Sequence, residues 1–287
     1  MCDRTNIAVK IVLMIVSVSL VLTVGCSRNP VTGKSELSLI TATQEVEMGR
    51  QAAPEFEKEF GGRVQNEKLQ QYVSTVGARV SKDAHRDMPY EFTLVRSETP
   101  NAFALPGGKI FITAGLMRRM SNERQLAAVL GHETAHVAAK HSVQGMQRQM
   151  GTGVLIEIAG AVVGADKASA AKAAAKVVSS VANLKYSRND EYQADEVGIE
   201  YMVNGGYNPW GMVELLKVLQ STAKSEPGAL TEFFQTHPLT SKRIGQAEDI
   251  IRANESYRRF SADAKDPDAG RFMAMHGLLP PVVAQGK

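Results

Sequence analysis

The sequence predicts a mainly helical α+β domain with a small sheet and one helix that carries the reactive side chains. Three observations predict it. Several stretches space their apolar residues three or four apart, the period of a one-sided helix. Two short runs rich in β-formers, Tyr90 to Val95 and Lys109 to Thr113, lie either side of the turn signal Leu105-Pro106-Gly107-Gly108. A His-Glu-x-x-His pattern falls inside one of the helical stretches.

Composition sets the bounds. A chain of 287 residues with 44% hydrophobic and 22% charged residues can bury a substantial core, and 24 Gly against 11 Pro exclude collagen-like and low-complexity readings. The net charge of +3, from 33 basic and 30 acidic residues, supplies no long-range field for a polyanion, so nucleic acid is not an expected partner. Only two cysteines occur, Cys2 and Cys26, both near the start. Neither a disulfide framework nor a thiolate cluster can support the body, and any metal must be held by His, Asp or Glu.

Taken in order, Arg4 and Lys10 precede an apolar run from Ile11 to Val24, the length of a signal-peptide core and short of the ~20 residues of a membrane span. Its end, Leu22-Thr23-Val24-Gly25-Cys26, resembles the lipobox of bacterial lipoproteins, with Thr23 where that pattern usually has Leu. Residues 1–25 are therefore expected to be a signal peptide, Cys26 the site of lipidation, and residues 26–40 a tether. An uncleaved anchor or ordinary cleavage would export the body equally. Ser27 in place of Asp favours the outer membrane, by resemblance to lipoprotein sorting.

Residues 41–60 read as a helix, with Thr41 as cap, an acidic residue in the first turn and Gly61-Gly62 as stop. Leu69, Val73, Val76 and Val80 mark a second. The two β-rich runs should be neighbouring strands. The stretch from Asn122 to Gln149 reads as one helix, capped by Ser121-Asn122-Glu123. Residues 151–182, rich in Ala, Gly and Val, suggest a packed helical hairpin or a flap, too short and broken at Val154 to Val163 to cross a bilayer. Helices over 188–204 and 209–223 are separated by Gly205-Gly206, another covers 241–254, and the polar tail 261–287 is expected to be loosely ordered. The domain itself should span 41–260.

His132-Glu133-Thr134-Ala135-His136 places two imidazoles four residues apart, rotated by about 40° net, so both leave one helix face and can reach one zinc ion at about 2.0–2.1 Å. Glu133, at the edge of that face, is placed to take a proton from a metal-activated water. His141, five residues after His136, falls far round the helix and is assigned no role. A third ligand is required. Glu191 and Asp195 are i and i+4 neighbours within an acidic cluster, so one can ligate while the other orients an imidazole; the residues alone do not single out Glu191.

Together with Asn101-Ala102-Phe103-Ala104, Pro106-Gly107-Gly108 and Thr236-His237-Pro238 leading to Arg243-Ile244, these motifs resemble the HtpX and CAAX-prenyl-protease family of gluzincin metallopeptidases, and within it the periplasmic BepA-like, lipoprotein-type members. The resemblance implies a zincin-like domain with His132, His136 and Glu191 as ligands of one zinc, Glu133 as general base and later acid, and Asp195 behind the ligands. It implies that the strand around Gly108, Lys109 and Ile110, with Asn101 nearby, receives an extended peptide. His237 is open to three readings: oxyanion donor, occupant of the fourth metal position, or a cap before Pro238. Arg243 either supports the oxyanion or forms a structural ion pair. The expected function is a zinc endopeptidase acting on misfolded or unassembled envelope proteins at the periplasmic face, with extended or unfolded polypeptides and the membrane as partners. The alternative is a latent, chaperone-like binding lipoprotein whose zinc is blocked by His237. Multiple spans and a tetratricopeptide array are not evident, so prenylated substrates are disfavoured and any envelope-assembly partner is unidentified.

Overall fold

A computed structural model describes residues 26–37, 39–164 and 166–282. The expected signal peptide lies outside the described residues. Cys26 opens a short strand, β1 (Cys26–Arg28), that pairs antiparallel with β2 (Ser35–Leu37). The helix α1 (Ala42–Glu59) begins at a capping box in which Thr41 accepts from the Gln44 amide and the Gln44 side chain accepts from the Thr41 amide. α2 (Glu67–Ser81) buries Leu69, Val73, Val76 and Val80, the predicted stripe.

The main sheet has the order β3-β5-β4, with β3 (Glu91–Val95) parallel and β4 (Ala102–Ala104) antiparallel to the central β5 (Lys109–Thr113). Strand alternation divides its side chains between two cores. Phe103, Phe111 and Val95 meet α1 and the helical hairpin α6 (Thr152–Gly164) and α7 (Lys167–Ala182), where the Phe56 ring lies 4.4–5.0 Å from those of Phe60, Phe103 and Phe111. Ala102, Ala104, Ile110, Ile112, Phe92 and Leu94 face the other way, toward the larger core of α2, α4 (Glu123–Ala138), α8 (Arg188–Asn204) and α9 (Trp210–Ser225). A four-residue helix, α3 (Ala114–Met117), leads from β5 toward α4.

Every residue of α4 is buried. A helix so enclosed needs partners for its end groups. At its start Asn122 accepts from the Gln125 amide, and Asp266 accepts from the Glu123 and Arg124 amides. At its end Arg86 donates to the Val137 carbonyl while pairing with buried Glu45, and the Asn29 side chain donates to the Ala139 carbonyl. Gly131 and Gly198 let α4 and α8 approach closely: a Cβ on Gly198 would stand 3.0 Å from the His132 backbone nitrogen.

Two expectations are corrected and one further element is found. The stretch 122–149 is two helices, because Lys140 adopts φ +61° and α5 (His141–Met150) starts in a new direction. The three-residue strand β4 was not foreseen. The tail is not loose over its described part: α12 (Ala269–His276) buries Phe272 completely, and Arg271 donates to Glu123, a fully buried carboxylate also held by Tyr72 and Tyr207. Its residue pattern is polar, but one aromatic and one arginine dock it. α10 (Thr231–Thr236) and α11 (Ser241–Ala253) complete the chain's path past the site.

Candidate metal centre

α4, α8 and the loop after α10 bring one donor atom each from His132, His136, Glu191 and His237 within 4.8 Å of one another, all buried. His132 Nε2 lies 3.0 Å from His136 Nε2 and 3.6 Å from Glu191 Oε2, and His136 Nε2 lies 3.4 Å from Glu191 Oε1. Ligands at 2.0–2.1 Å around a tetrahedral zinc are separated by about 3.3 Å. The spacing and chemistry of this donor set therefore fit zinc. His237 is the fourth member of the group, its Nδ1 3.0 Å from Glu191 Oε1.

Glu133 is fully buried, and neither of its carboxylate oxygens has a hydrogen-bond partner among the described residues. Burial pushes its carboxyl above the ordinary value, against the pull of His237 and His132. The His237 imidazole faces it, with Nε2 3.7 Å from Glu133 Oε1. A carboxylate left unpartnered beside a tetrad of metal donors is the second observation that fits a metal-activated water, because such a water supplies the missing donor.

Arg243 offsets part of the negative charge around the donors. Asp195 Oδ1 lies 3.0 Å from His132 Nδ1, and Arg243 donates to both Asp195 oxygens at 2.7 Å and to Glu191 Oε2. Burial alone would raise both carboxyls, but Arg243 and the neighbouring histidines together outweigh it, holding Glu191 well below and Asp195 below the usual range. His237 runs the other way: burial lowers its pKa, yet Glu191 and Glu133 raise it above the ordinary value. Arg243 thus forms an ion pair, one of its two sequence readings.

The residues expected to receive substrate are placed differently. β5 is the central strand, paired on both sides, so Gly108, Lys109 and Ile110 offer no open edge. Gly108 is a turn residue at φ +90°, Lys109 pairs with Glu91, and Ile110 is core. The edge near the site is β4. Asn101 locks its start, its amide donating to Thr113 Oγ1 and its side-chain oxygen accepting from the Ala102 amide. At its far end the Ala104 carbonyl accepts from Ser142 Oγ.

Sequence reasoning missed two side chains. The Tyr186 ring stacks on His136 with centroids 3.9 Å apart, its hydroxyl meets Ser142, and its amide donates to the Thr236 carbonyl beside His237. Its burial raises its pKa well above normal. No local pattern marks it. His141 is the other: its Nδ1 lies 2.9 Å from His136 Nδ1 and its Nε2 lies 2.9 Å from Gln193 Oε1.

Comparison with known proteins bears on these arrangements. The sequence profile described as peptidase family M48 matches residues 65–251. A beta-barrel assembly-enhancing protease of Yersinia pestis is 30% identical over 207 residues, covering 69% of this chain and 42% of that protein. The mitochondrial metalloendopeptidase OMA1 of Schizosaccharomyces pombe is 29% identical over 229 residues, 77% of this chain and 65% of its own. Metalloprotease LoiP of Escherichia coli is 30% identical over 170 residues, 58% of this chain and 64% of its own. The chain thus spans from under half to just under two thirds of these relatives.

Proposed function

Because the chain belongs to peptidase family M48, we propose that it is a zinc-dependent endopeptidase cleaving misfolded or unassembled proteins of the bacterial cell envelope. The observation that carries this reading is the Glu133 carboxylate, without a hydrogen-bond partner among the described residues, beside four buried donors within 4.8 Å of one another. In it, His132, His136 and Glu191 hold the metal. Bound zinc supplies Lewis acidity toward a peptide carbonyl and lowers the pKa of a water. Glu133 would accept a proton from the attacking water and pass it to the leaving amine. Its dry surroundings favour the first transfer, since burial raises its affinity for the proton.

Asp195 fixes the orientation of His132, and Arg243 offsets the charge of both carboxylates. An extended polypeptide would add alongside β4, exchanging the Asn101 and Ser142 hydrogen bonds at that edge for its own. The envelope assignment rests on the expected export signal and lipidation of Cys26, and on relatives named for β-barrel assembly.

One observation favours a second layer to this reading: His237 stands among the metal donors. In that layer His237 takes the fourth position in the resting enzyme, which is then latent until a substrate or partner displaces it. The test of the main reading is cleavage of unfolded casein by the purified chain. Cleavage that requires zinc and disappears in Glu133→Gln, with zinc still bound, supports it. A variant as active as the parent sinks it.

A further inference from the structure

His132 and His136 present their Nε2 atoms to the same cluster, yet the opposite sides of the two rings are held by different chemistry. His132 Nδ1 faces a carboxylate, Asp195, which is itself clamped by Arg243. His136 Nδ1 faces another imidazole, His141, 2.9 Å away. We propose that His141, backed by Gln193, is a positioning residue that fixes the tautomer and orientation of His136 and so sets how tightly the centre holds its metal. The inference rests on the zinc reading above.

The tautomers follow step by step. To offer a lone pair from Nε2, a neutral His136 must carry its hydrogen on Nδ1. That hydrogen points at His141 Nδ1, so His141 must accept there and carry its own hydrogen on Nε2. His141 Nε2 faces Gln193 Oε1 at 2.9 Å and Asp190 Oδ1 at 3.8 Å, two oxygens that only accept. Every link therefore runs in one direction, from His136 through His141 to the start of α8. Reversing any link would place two hydrogens or two lone pairs in the same contact.

The backbone is built to allow the contact. Five residues further along a continuous helix His141 would lie about 140° round from His136, pointing away from it. The left-handed turn at Lys140 ends α4 and returns His141 to the ligand's side. Asn29, on the hairpin that follows Cys26, donates to the Ala139 carbonyl next to that turn, and Glu36 of the same hairpin accepts from Asn29 and Gln144. Tyr186 closes the assembly by stacking on the His136 ring. His136 is thus held on its face by a tyrosine and on its edge by a neutral hydrogen-bonded chain.

The experiment measures zinc release from the full chain to a chromogenic chelator for the parent, His141→Phe, Gln193→Leu and His141→Asn. The parent should hold one zinc. His141→Phe keeps the ring volume and loses the acceptor, and should weaken zinc binding ~10–100-fold. Gln193→Leu, at a half-buried position that tolerates the change, should weaken it less. His141→Asn keeps an oxygen near the place of Nδ1 and should recover part of the loss, which a purely space-filling role would not allow. Nitrogen NMR of the zinc form should show His141 protonated on Nε2 alone. Parent-like zinc release from both His141→Phe and Gln193→Leu, or a proton on His141 Nδ1, would overturn the proposal while leaving the metal centre standing. A parent that takes up no zinc would overturn both.

Discussion

Arg243 grips Asp195 with two parallel hydrogen bonds of 2.7 Å, and both residues are buried. A third bond from the same guanidinium reaches Glu191. One cation therefore faces two carboxylates whose pKa burial pushes up, and with the neighbouring histidines it holds both below the ordinary range. Removing it should be far more damaging than removing a surface pair, since it strands charge in the interior. Arg243→Ala is expected to cost about 3–5 kcal/mol of stability and to impair zinc retention. Arg243→Lys keeps the charge but not the fork, and should fall between. Denaturant unfolding and zinc content of the three proteins check this.

Glu133 presents the reverse case, a buried carboxylate with no hydrogen-bond partner among the described residues. Its folded-state pKa lies above the unfolded value of about 4.5. Ionising it therefore penalises the folded state: the penalty is absent well below that value and grows as pH rises through the raised one. Glu133→Gln should accordingly raise the melting temperature of the zinc-free protein at pH 7, by an amount equivalent to about 1–3 kcal/mol, while abolishing cleavage. The gain should vanish as the pH falls below about 4.5. Melting curves of metal-free parent and variant from pH 4 to 8 test it. A variant less stable than the parent at pH 7 would contradict the assignment of an unpartnered charge.

The part of the centre written in local spacing was legible from the residues. His132, Glu133 and His136 need only the 3.6-residue period, which α4 obeys. The donors Glu191 and His237 were reachable only through resemblance, because their approach depends on how α8 and the loop after α10 pack on α4. A close helix contact at Gly131 and Gly198 carries that information, and neither glycine announces it. His141 was lost because the helix breaks at Lys140, a residue type with no preference for positive φ. β4 is three residues long, too short to show an alternation. The two strands and the capping box at Thr41, by contrast, are local patterns, and the structure realises them.

The docked tail yields a prediction that the polar composition of residues 261–282 would not. Phe272 is fully buried in the larger core, and Arg271 reaches Glu123 at the first turn of α4. Asp266, in the same segment, accepts from two amides at that helix start. Phe272→Ala should therefore destabilise the protein by about 3–5 kcal/mol, as for an interior aromatic. A loose tail would give a change near zero. Chemical denaturation distinguishes the two directly.

His237 separates activity from restraint. Its Nδ1 contacts Glu191 at 3.0 Å and its Nε2 stands 3.7 Å from Glu133, so one ring touches both a proposed ligand and the proposed base. Its ring also stacks against Phe233, which fixes it from the α10 side. A donor reserved for a transition state should point at the position of the developing oxyanion, whereas this ring points into the ligand set. His237→Ala is therefore expected to keep zinc, since His132, His136 and Glu191 remain, and to cleave unfolded casein faster than the parent. A fall in kcat of ~10²–10³ instead would assign His237 to oxyanion stabilisation and remove the latent state from the account. Zinc content measured on the same samples keeps the comparison clean, because an inactive variant without metal would show that the imidazole is needed to hold the ion.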